Sequence, residues 1–330
     1  MHIDSISAIE VLDSRGNPTI MATVSAGKYK GHGFVPSGAS TGQFEAIEMR
    51  DSDTRYGGKG VLKAIRNIDG IIQEHLVGES IFNQNKIDAI LNNIDGTENK
   101  SNLGANATLA VSIACIRAAA NAANCELYTY LGGLTADMLP LPMMNIINGG
   151  AHADNNLDIQ EFMIVPTGAE TFSFGLRMCA EIYHTLRENL NKQNYSTTVG
   201  DEGGFAPDFR SHEEAIEQIM HAIEKAGYRV GEDVKIALDA AASEWYTEGV
   251  YRMPKSGEEF TGDELLDYWE ELAKSYPIIS IEDPADEEDW DLWQRINKRL
   301  KIQIVGDDLF VTNTKRLEEG IHKKAANAIL

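Results

Sequence analysis

The sequence predicts an α/β protein in which a small α+β domain precedes a series of strand and helix units. Residues 3–12 and 19–25 carry apolar and β-branched residues typical of strands, and three helical patterns follow them. After residue 139, short apolar strands alternate with helices. Such alternation indicates a parallel sheet, either an open doubly wound sheet or a closed barrel. We therefore predict an amino-terminal α+β domain over residues 1–138 and a second domain over residues 139–330.

The first domain begins with a predicted hairpin. Residues 13–18 read Asp-Ser-Arg-Gly-Asn-Pro, a dense cluster of turn formers between the two strand patterns. Apolar residues then recur at three-and-four spacing over residues 61–76 and 87–94, and in an Ala-rich segment over residues 105–123. Strands first and helices afterwards are typical of an α+β domain.

The second domain is predicted from its alternating pattern. The predicted strands cover residues 143–147, 162–165, 197–199, 234–238, 278–281 and 302–305. The predicted helices cover residues 172–190, 213–226, 263–275 and 287–299. Residues 325–330 read as the start of one more strand.

Composition excludes several classes of function. The chain has 51 acidic and 29 basic residues and a formal charge of -22, which would repel nucleic acid and anionic membranes. The three cysteines form no CxxC pair and suit reduced thiols of a cytoplasmic protein. No export signal is visible at the amino terminus, and no apolar run approaches the length of a membrane span.

Three consecutive predicted strands in the second domain end in a carboxylate: Asp239, Glu282 and Asp307. In a β/α barrel the carboxyl ends of the strands meet at one rim, where active sites are built. Three hard oxygen ligands at one rim suit Mg²⁺. The alternative is that acids after strands cap the next helix, and Asp283 and Asp308 are the better candidates for that role.

A second polar cluster lies upstream, in two glycine-flanked stretches. One contains His152 and leads to Gln160 and Glu161, and the other contains Glu202. Glycines beside these residues allow backbone shapes that other residues resist and let a substrate approach closely. Taken alone, a single loop histidine is more often a solvated surface residue.

Residues 38–42 match the GxSxG pattern of hydrolase nucleophile elbows, with Ser40 at the serine position. The elbow needs a central strand before it and a helix after it, whereas this stretch falls in the opening strand region. A flexible loop that closes over a ligand is the favoured interpretation, and a plain surface linker is the alternative.

A series of loop motifs runs along the chain in a fixed order. The motifs are SRGNPT (14–19), SGASTG (37–42), LPMMNIINGG (141–150), QEF (160–162), VGDEGG (199–204), SIEDP (280–284) and GDDL (306–309). This series resembles that of the enolase family and covers essentially the whole chain. The resemblance implies an amino-terminal α+β domain and a TIM-like β/α barrel of enolase type whose rim binds two Mg²⁺ ions.

The resemblance also implies roles for individual residues. Glu202 is the implied general acid, supported by Glu161, and an acid at Glu202 requires a raised pKa. Arg15 lies in a segment that the family uses near its dimer interface. The implied ligands of the first magnesium are Asp239, Glu282 and Asp307; Ser40 is the implied ligand of the second magnesium and the substrate phosphate; His152, Gln160 and Glu161 are the implied substrate contacts.

The reaction that the resemblance implies is the reversible, Mg²⁺-dependent dehydration of 2-phosphoglycerate to phosphoenolpyruvate in glycolysis and gluconeogenesis. It further implies a homodimer or a higher even oligomer in the cytoplasm, with a secondary cell-surface or secreted pool. Two rival functions stay open: a superfamily dehydratase acting on acid sugars, and a non-catalytic scaffold or binding fragment.

The carboxyl-terminal part of the family pattern is not in these 330 residues. The lysine that removes the proton from carbon 2 is expected just beyond Leu330, as are the segment that grips the phosphate and the strands that close the barrel. We therefore expect the 330-residue chain by itself to be inactive and poorly stable, because an open barrel exposes two sheet edges. The alternative is that these residues are one part of a complete enzyme.

Overall fold

The computed structural model describes residues 1–38 and 42–330, which divide into two compact units between Met138 and Leu139. The first unit holds residues 1–38 and 44–138. The second holds residues 139–330 together with Gly42 and Gln43.

The first unit contains a three-stranded antiparallel sheet in the order β1-β2-β3. Strands β1 and β2 form the predicted hairpin, in which Leu12 pairs with Pro18 across the turn. The third strand was not separately predicted. The strands are β1 (Ser5–Leu12), β2 (Pro18–Ala26) and β3 (Tyr29–Val35).

The three predicted helical patterns of the first unit are confirmed, and a short further helix, residues 127–132, was not predicted. The pattern over residues 61–76 is one irregular helix, since a π-helical turn at Ile68–Ile72 separates its two α-helical ends. The helices are α1 (Leu62–Asn67), α2 (Gln73–Leu76), α3 (Gln84–Asp95), α4 (Ala105–Ala123) and α5 (Leu127–Gly132).

Helix α4 packs on the sheet at very short range. A Cβ atom on Gly33 would lie 1.9 Å from the Ala110 carbonyl oxygen, and one on Gly31 would lie 2.1 Å from the Ala114 oxygen. Neither distance is sterically allowed, so β3 reaches the helix backbone only because both residues lack a side chain. Alanines on the facing side of the helix complete this contact.

We expect Gly33→Ala to destabilise the first unit by about 2 kcal/mol or more, because the added methyl group must separate a strand from a helix backbone. Urea unfolding followed by circular dichroism measures the loss. Gly70→Ala in the same unit is the matched control, since its φ is not positive and a Cβ there meets no atom within 4 Å. Equal stability of the Gly33 variant and the wild type would contradict the packing described here.

The second unit is built on a six-stranded sheet in the order β12-β11-β10-β6-β5-β4. This mixed sheet, with helices between its strands, belongs to the predicted β/α barrel class. Its strands are β4 (Met144–Asn148), β5 (Glu161–Val165), β6 (Lys235–Asp239), β10 (Ile278–Glu282), β11 (Gln303–Gly306) and β12 (Ala328–Ile329).

The prediction of an all-parallel sheet is wrong at β5, which runs antiparallel to both β4 and β6. Strand β4 connects to β5 through a loop, residues 149–160, with only one short 3₁₀ turn, so the chain reverses as in a hairpin. Between β5 and β6 the chain forms two helices, α6 (Phe172–Lys192) and α7 (His212–Lys225), which pack on each other. Two helices return the chain to the end of the sheet where it left, whereas a single crossover helix would give a parallel strand.

Two further differences concern short strands. Residues 197–199, predicted as a strand, make only an isolated bridge between Val199 and Phe205. A small antiparallel sheet that was not predicted follows β6, formed by β7 (Tyr246–Thr247), β8 (Val250–Arg252) and β9 (Glu259–Phe260). The remaining helices are α8 (Gly262–Ser275), α9 (Trp290–Arg299) and α10 (Thr314–Lys323).

Alternate residues of the large sheet point to opposite faces. Phe162 and Ile164 of β5 join the main core under the helices. Met163 and Val165 lie with Ala237 in a small separate cluster on the other face. Within the described residues, no single helix is long and apolar enough to cross a membrane, and only the bent pair Ala105–Ala123 and Leu127–Thr135 meets such criteria jointly.

Candidate active site

Three carboxylates lie side by side at one edge of the six-stranded sheet. Asp239, the last residue of β6, is paired in register with Glu161 on one side and with Glu282 on the other. Because paired residues point to the same face of a sheet, the three side chains share the face that carries Met163 and Ala237. The prediction that strand ends would bring Asp239 and Glu282 together is confirmed by this register.

Asp239 is held firmly in this row. Its Oδ2 accepts a 2.8 Å hydrogen bond from Gln160 Nε2, and its Oδ1 accepts one of 3.1 Å from the Ala241 amide. The side chain is buried. Gln160, predicted to contact substrate, therefore also orients a predicted metal ligand.

Asp239, Glu282 and Asp283 form a group whose nearest carboxylate oxygens all lie within 4.8 Å of one another. This differs from the predicted set, because the third member is Asp283 rather than Asp307. Asp307 follows β11 directly, and its role as a ligand stays a prediction.

The carboxylate of Asp283 anchors the end of the next strand. Its two oxygens accept hydrogen bonds from the backbone amides of Asp307 and Asp308, at 3.1 and 2.8 Å. The expectation that Asp283 and Asp308 cap helices is wrong, since Asp289 caps α9 and Asn313 caps α10. Asp283 instead stabilises the backbone on which Asp307 is mounted.

Burial and mutual repulsion raise the pKa of every acid in the row. Burial, with the charges of Asp239 and Asp283, raises the pKa of Glu282 to about 9. Burial raises the pKa of Asp239 to about 7 even though two hydrogen bonds oppose the shift. Burial also raises the pKa of Asp307. A divalent cation would offset this concentrated negative charge, and an all-oxygen donor set is the kind that Mg²⁺ prefers.

A second group of polar side chains adjoins the carboxylate row. His152 is buried rather than solvated, and its Nδ1 lies 3.0 Å from Glu202 Oε2. Glu202 also shares a hydrogen bond with Glu161, the first residue of β5. The structure thus brings together His152, Glu161 and Glu202, as predicted for a substrate-binding acid pair.

The pKa values of Glu161 and Glu202 differ from the prediction, which required a raised pKa at Glu202. Burial, the hydrogen bond to Glu202 and the charges of Glu202 and Asp239 raise the pKa of Glu161 to about 10. Burial alone would raise the pKa of Glu202 too, but hydrogen bonds from Glu161, His152 and Asn148 lower it below its ordinary value. The raised pKa expected at Glu202 therefore lies on Glu161 instead, and the two acids share a proton across their hydrogen bond.

The loop that carries Glu202, residues 200–204, is tightly folded. The Gly200 amide donates to the Gly204 carbonyl at 2.8 Å, and Tyr183 donates through its hydroxyl to the Gly203 carbonyl at 3.1 Å. Gly203 has a φ of +87°, which favours glycine. A Cβ on Gly204 would lie 2.8 Å from Asn148 Oδ1, so this glycine allows close approach of the protein's own side chain.

Ser40, predicted to bind a second magnesium, lies outside the described residues. Gly42 and Gln43, the first described residues after it, lie against the rim of the barrel. The Gln43 amide is 3.4 Å from Glu287 Oε2, and a Cβ on Gly42 would meet Val311 and Asp308. Arg15 donates to the carbonyls of Ser37 and Gly38, both at 2.9 Å.

Sequence reasoning gave no role to two buried residues that organise the loop of residues 149–160. Asp158 accepts hydrogen bonds from the amides of Lys255 and Ser256, and Lys255 Nζ donates to the Ala153 carbonyl. Asn148 is the last residue of β4, just as Asp239 is the last residue of β6. It carries an amide, whereas the sequence signal for this rim was an acidic residue at a strand end.

A mixed sheet of the β/α barrel class that carries an acidic group able to hold a metal ion, with an acid pair beside it at one edge, is typical of an enzyme active site. Two family models match the chain: "Enolase, N-terminal domain" over residues 3–131 and "Enolase, C-terminal TIM barrel domain" over residues 136–330. The chain belongs to the enolase family.

Proposed function

We propose that this protein is a Mg²⁺-dependent carbon–oxygen lyase that interconverts 2-phosphoglycerate and phosphoenolpyruvate. The observation that supports the proposal most strongly is the row of Glu161, Asp239 and Glu282 on adjacent strands, beside Glu202. Magnesium bound there would neutralise the charge that develops on a substrate carboxylate when the adjacent carbon loses its proton.

In this proposal, the carboxylates of Asp239 and Glu282 hold the metal, with Asp307 as the third ligand. Gln160 keeps Asp239 in position through its 2.8 Å hydrogen bond. The proton base is still the lysine predicted from the family resemblance, and no residue described here is assigned to that step.

The acid pair supplies the proton for the departing hydroxyl group. Glu161 holds the proton in the metal-free state and is hydrogen bonded to Glu202, so the proton can pass to Glu202 as the leaving oxygen accepts it. His152 Nδ1 lies 3.0 Å from the Glu202 carboxylate.

The test is conversion of 2-phosphoglycerate by the full-length protein, followed through the ultraviolet absorbance of the enol product. We expect turnover that requires Mg²⁺ and stops when a chelator is added. Conversion of acid sugars without phosphate, in place of 2-phosphoglycerate, would favour the rival dehydratase. Failure to turn over either class, with no binding of Mg²⁺, would favour a non-catalytic scaffold.

A further inference from the structure

Asn148 is the most completely enclosed polar side chain beside the acid pair, with no exposed surface. It is the last residue of β4, and its backbone pairs with that of Glu161 on β5. A buried amide must find partners for both ends of its side chain, because an unpaired polar group in the interior is unfavourable.

The two ends of the Asn148 amide have different partners. Its Oδ1 accepts a 2.9 Å hydrogen bond from the Gly204 amide. Its Nδ2 lies 3.4 Å from Glu202 Oε2 and 3.4 Å from the Gln160 carbonyl oxygen. Since the Gly204 amide can only donate, the oxygen end of Asn148 must face it, and the end that faces Glu202 must be a donor.

Two glycines of the 200–204 loop lie close against Asn148. A Cβ on Gly200 would lie 2.9 Å from Asn148 Cβ, and one on Gly204 would lie 2.8 Å from its Oδ1. Asn148 is also fixed through its own backbone, because its carbonyl accepts a 2.9 Å hydrogen bond from Asn155 Nδ2. A single side chain thus connects the end of β4 to both the backbone and the carboxylate of the Glu202 loop.

We propose that Asn148 is a positioning residue for the acid of the reaction: its amide holds the Glu202 carboxylate and the 200–204 loop in the geometry needed for proton donation. This inference rests on the proposed function. Asn148 acts through Glu202. Within the described residues, the hydrogen bonds of its side chain go to Glu202, Gly204 and Gln160, and not to the proposed metal ligands. It therefore predicts an effect on turnover without an equal effect on metal binding.

Asn148→Asp separates the two contacts. The aspartate keeps an acceptor for the Gly204 amide but turns a carboxylate toward Glu202 in place of a donor. We expect kcat to fall by about tenfold to a hundredfold, with KM for 2-phosphoglycerate and the affinity for Mg²⁺ little changed. Asn148→Ser, whose shorter side chain withdraws the amide from Glu202 without adding charge, is also expected to lower kcat, and it serves if the aspartate variant fails to fold.

Asn106→Asp is the matched control. Asn106 is equally enclosed, and its side chain bridges the amide and the carbonyl of Met49, both at 3.1 Å, in the first unit. We expect this change to lower the melting temperature without changing kcat per folded molecule. Wild-type kcat in both Asn148 variants, or a loss no larger than that of the Asn106 variant, would overturn the inference.

Hydrogen–deuterium exchange provides a readout that does not depend on the reaction. In Asn148→Ser we expect faster exchange at residues 200–204 and unchanged exchange in α7. If the wild type does not convert 2-phosphoglycerate, the proposed function fails. Faster exchange in the variant would still support the inference that Asn148 holds the 200–204 loop. Unchanged exchange at residues 200–204 would overturn the inference that Asn148 holds this loop.

Discussion

Replacing Glu282 with glutamine is expected to abolish the stabilisation of this protein by Mg²⁺ while making the metal-free protein more stable at neutral pH. Glu282 lies between Asp239 and Asp283 in a group of carboxylates within 4.8 Å of one another. Without a cation, Glu282 keeps its proton in the folded state at neutral pH, which costs free energy because the unfolded state has released it; glutamine keeps the shape of the side chain without this cost.

The size of the Mg²⁺-dependent stabilisation that the variant should lose follows from mass action. A ligand at a hundredfold excess over its Kd stabilises the folded state by about 2.7 kcal/mol, and the corresponding rise in melting temperature is several degrees. With one ligand removed, the variant should show little of this rise. Differential scanning fluorimetry with and without Mg²⁺ measures both quantities.

The gain of the metal-free variant has a definite pH dependence. Burial and neighbouring charges raise the pKa of Glu282 from 4.5 to about 9, so the folded state holds a proton that the unfolded state has already lost. Stability from this group is complete below pH 4.5 and is lost as the pH rises toward 9. The advantage of Glu282→Gln should therefore be absent near pH 4 and grow toward pH 9.

The control for this experiment is Glu318→Gln, which removes a carboxylate that is 77% exposed on α10. It should leave the Mg²⁺ response intact at every pH. A Glu282 variant that still gains several degrees from Mg²⁺ would show that the metal binds elsewhere.

The second large effect concerns the acid pair. We expect Glu202→Gln and Glu161→Gln each to lower kcat by about a hundredfold or more, because a glutamine can neither relay nor release the proton. The double variant should lose little beyond either single variant, since the two residues share one proton and act as a unit.

Steady-state kinetics of the two single variants and the double variant measure this coupling. Glu188→Gln, an exposed change on α6, is the control and should retain wild-type kcat. Losses that multiply in the double variant would mean that Glu161 and Glu202 act independently, contrary to the shared proton inferred from their contact.

The sequence was sufficient to predict those parts of the site that depend only on local order along the chain. Asp239 and Glu282 each end an apolar strand, and the rule that such ends converge places them together whatever the details of packing. His152 and Glu202 were found because glycine-rich stretches mark loops.

Other parts of the site depend on sheet order, which local patterns do not encode. Glu161 begins its strand, and it reaches the same edge as Asp239 only because β5 is antiparallel. That reversal depends on two helices between β5 and β6, which look like any other helical pattern in the sequence. The raised pKa of Glu161 depends on the relative burial and partners of two similar acids. Asp283 and Asn148 lie within recognised motifs, but their hydrogen bonds to distant segments of the chain cannot be read from the local sequence.

The hydrogen bonds that the amides of residues 307 and 308 donate to Asp283 have a consequence for ion discrimination. It fixes how far the end of β11 lies from the end of β10, and so how wide the space between Glu282 and Asp307 is. Mg²⁺ needs a tight octahedral shell, whereas Ca²⁺ accepts a wider and more irregular one. In the proposed metal site, any preference for the smaller ion is therefore expected to depend on Asp283, whose side chain holds the neighbouring strand in place.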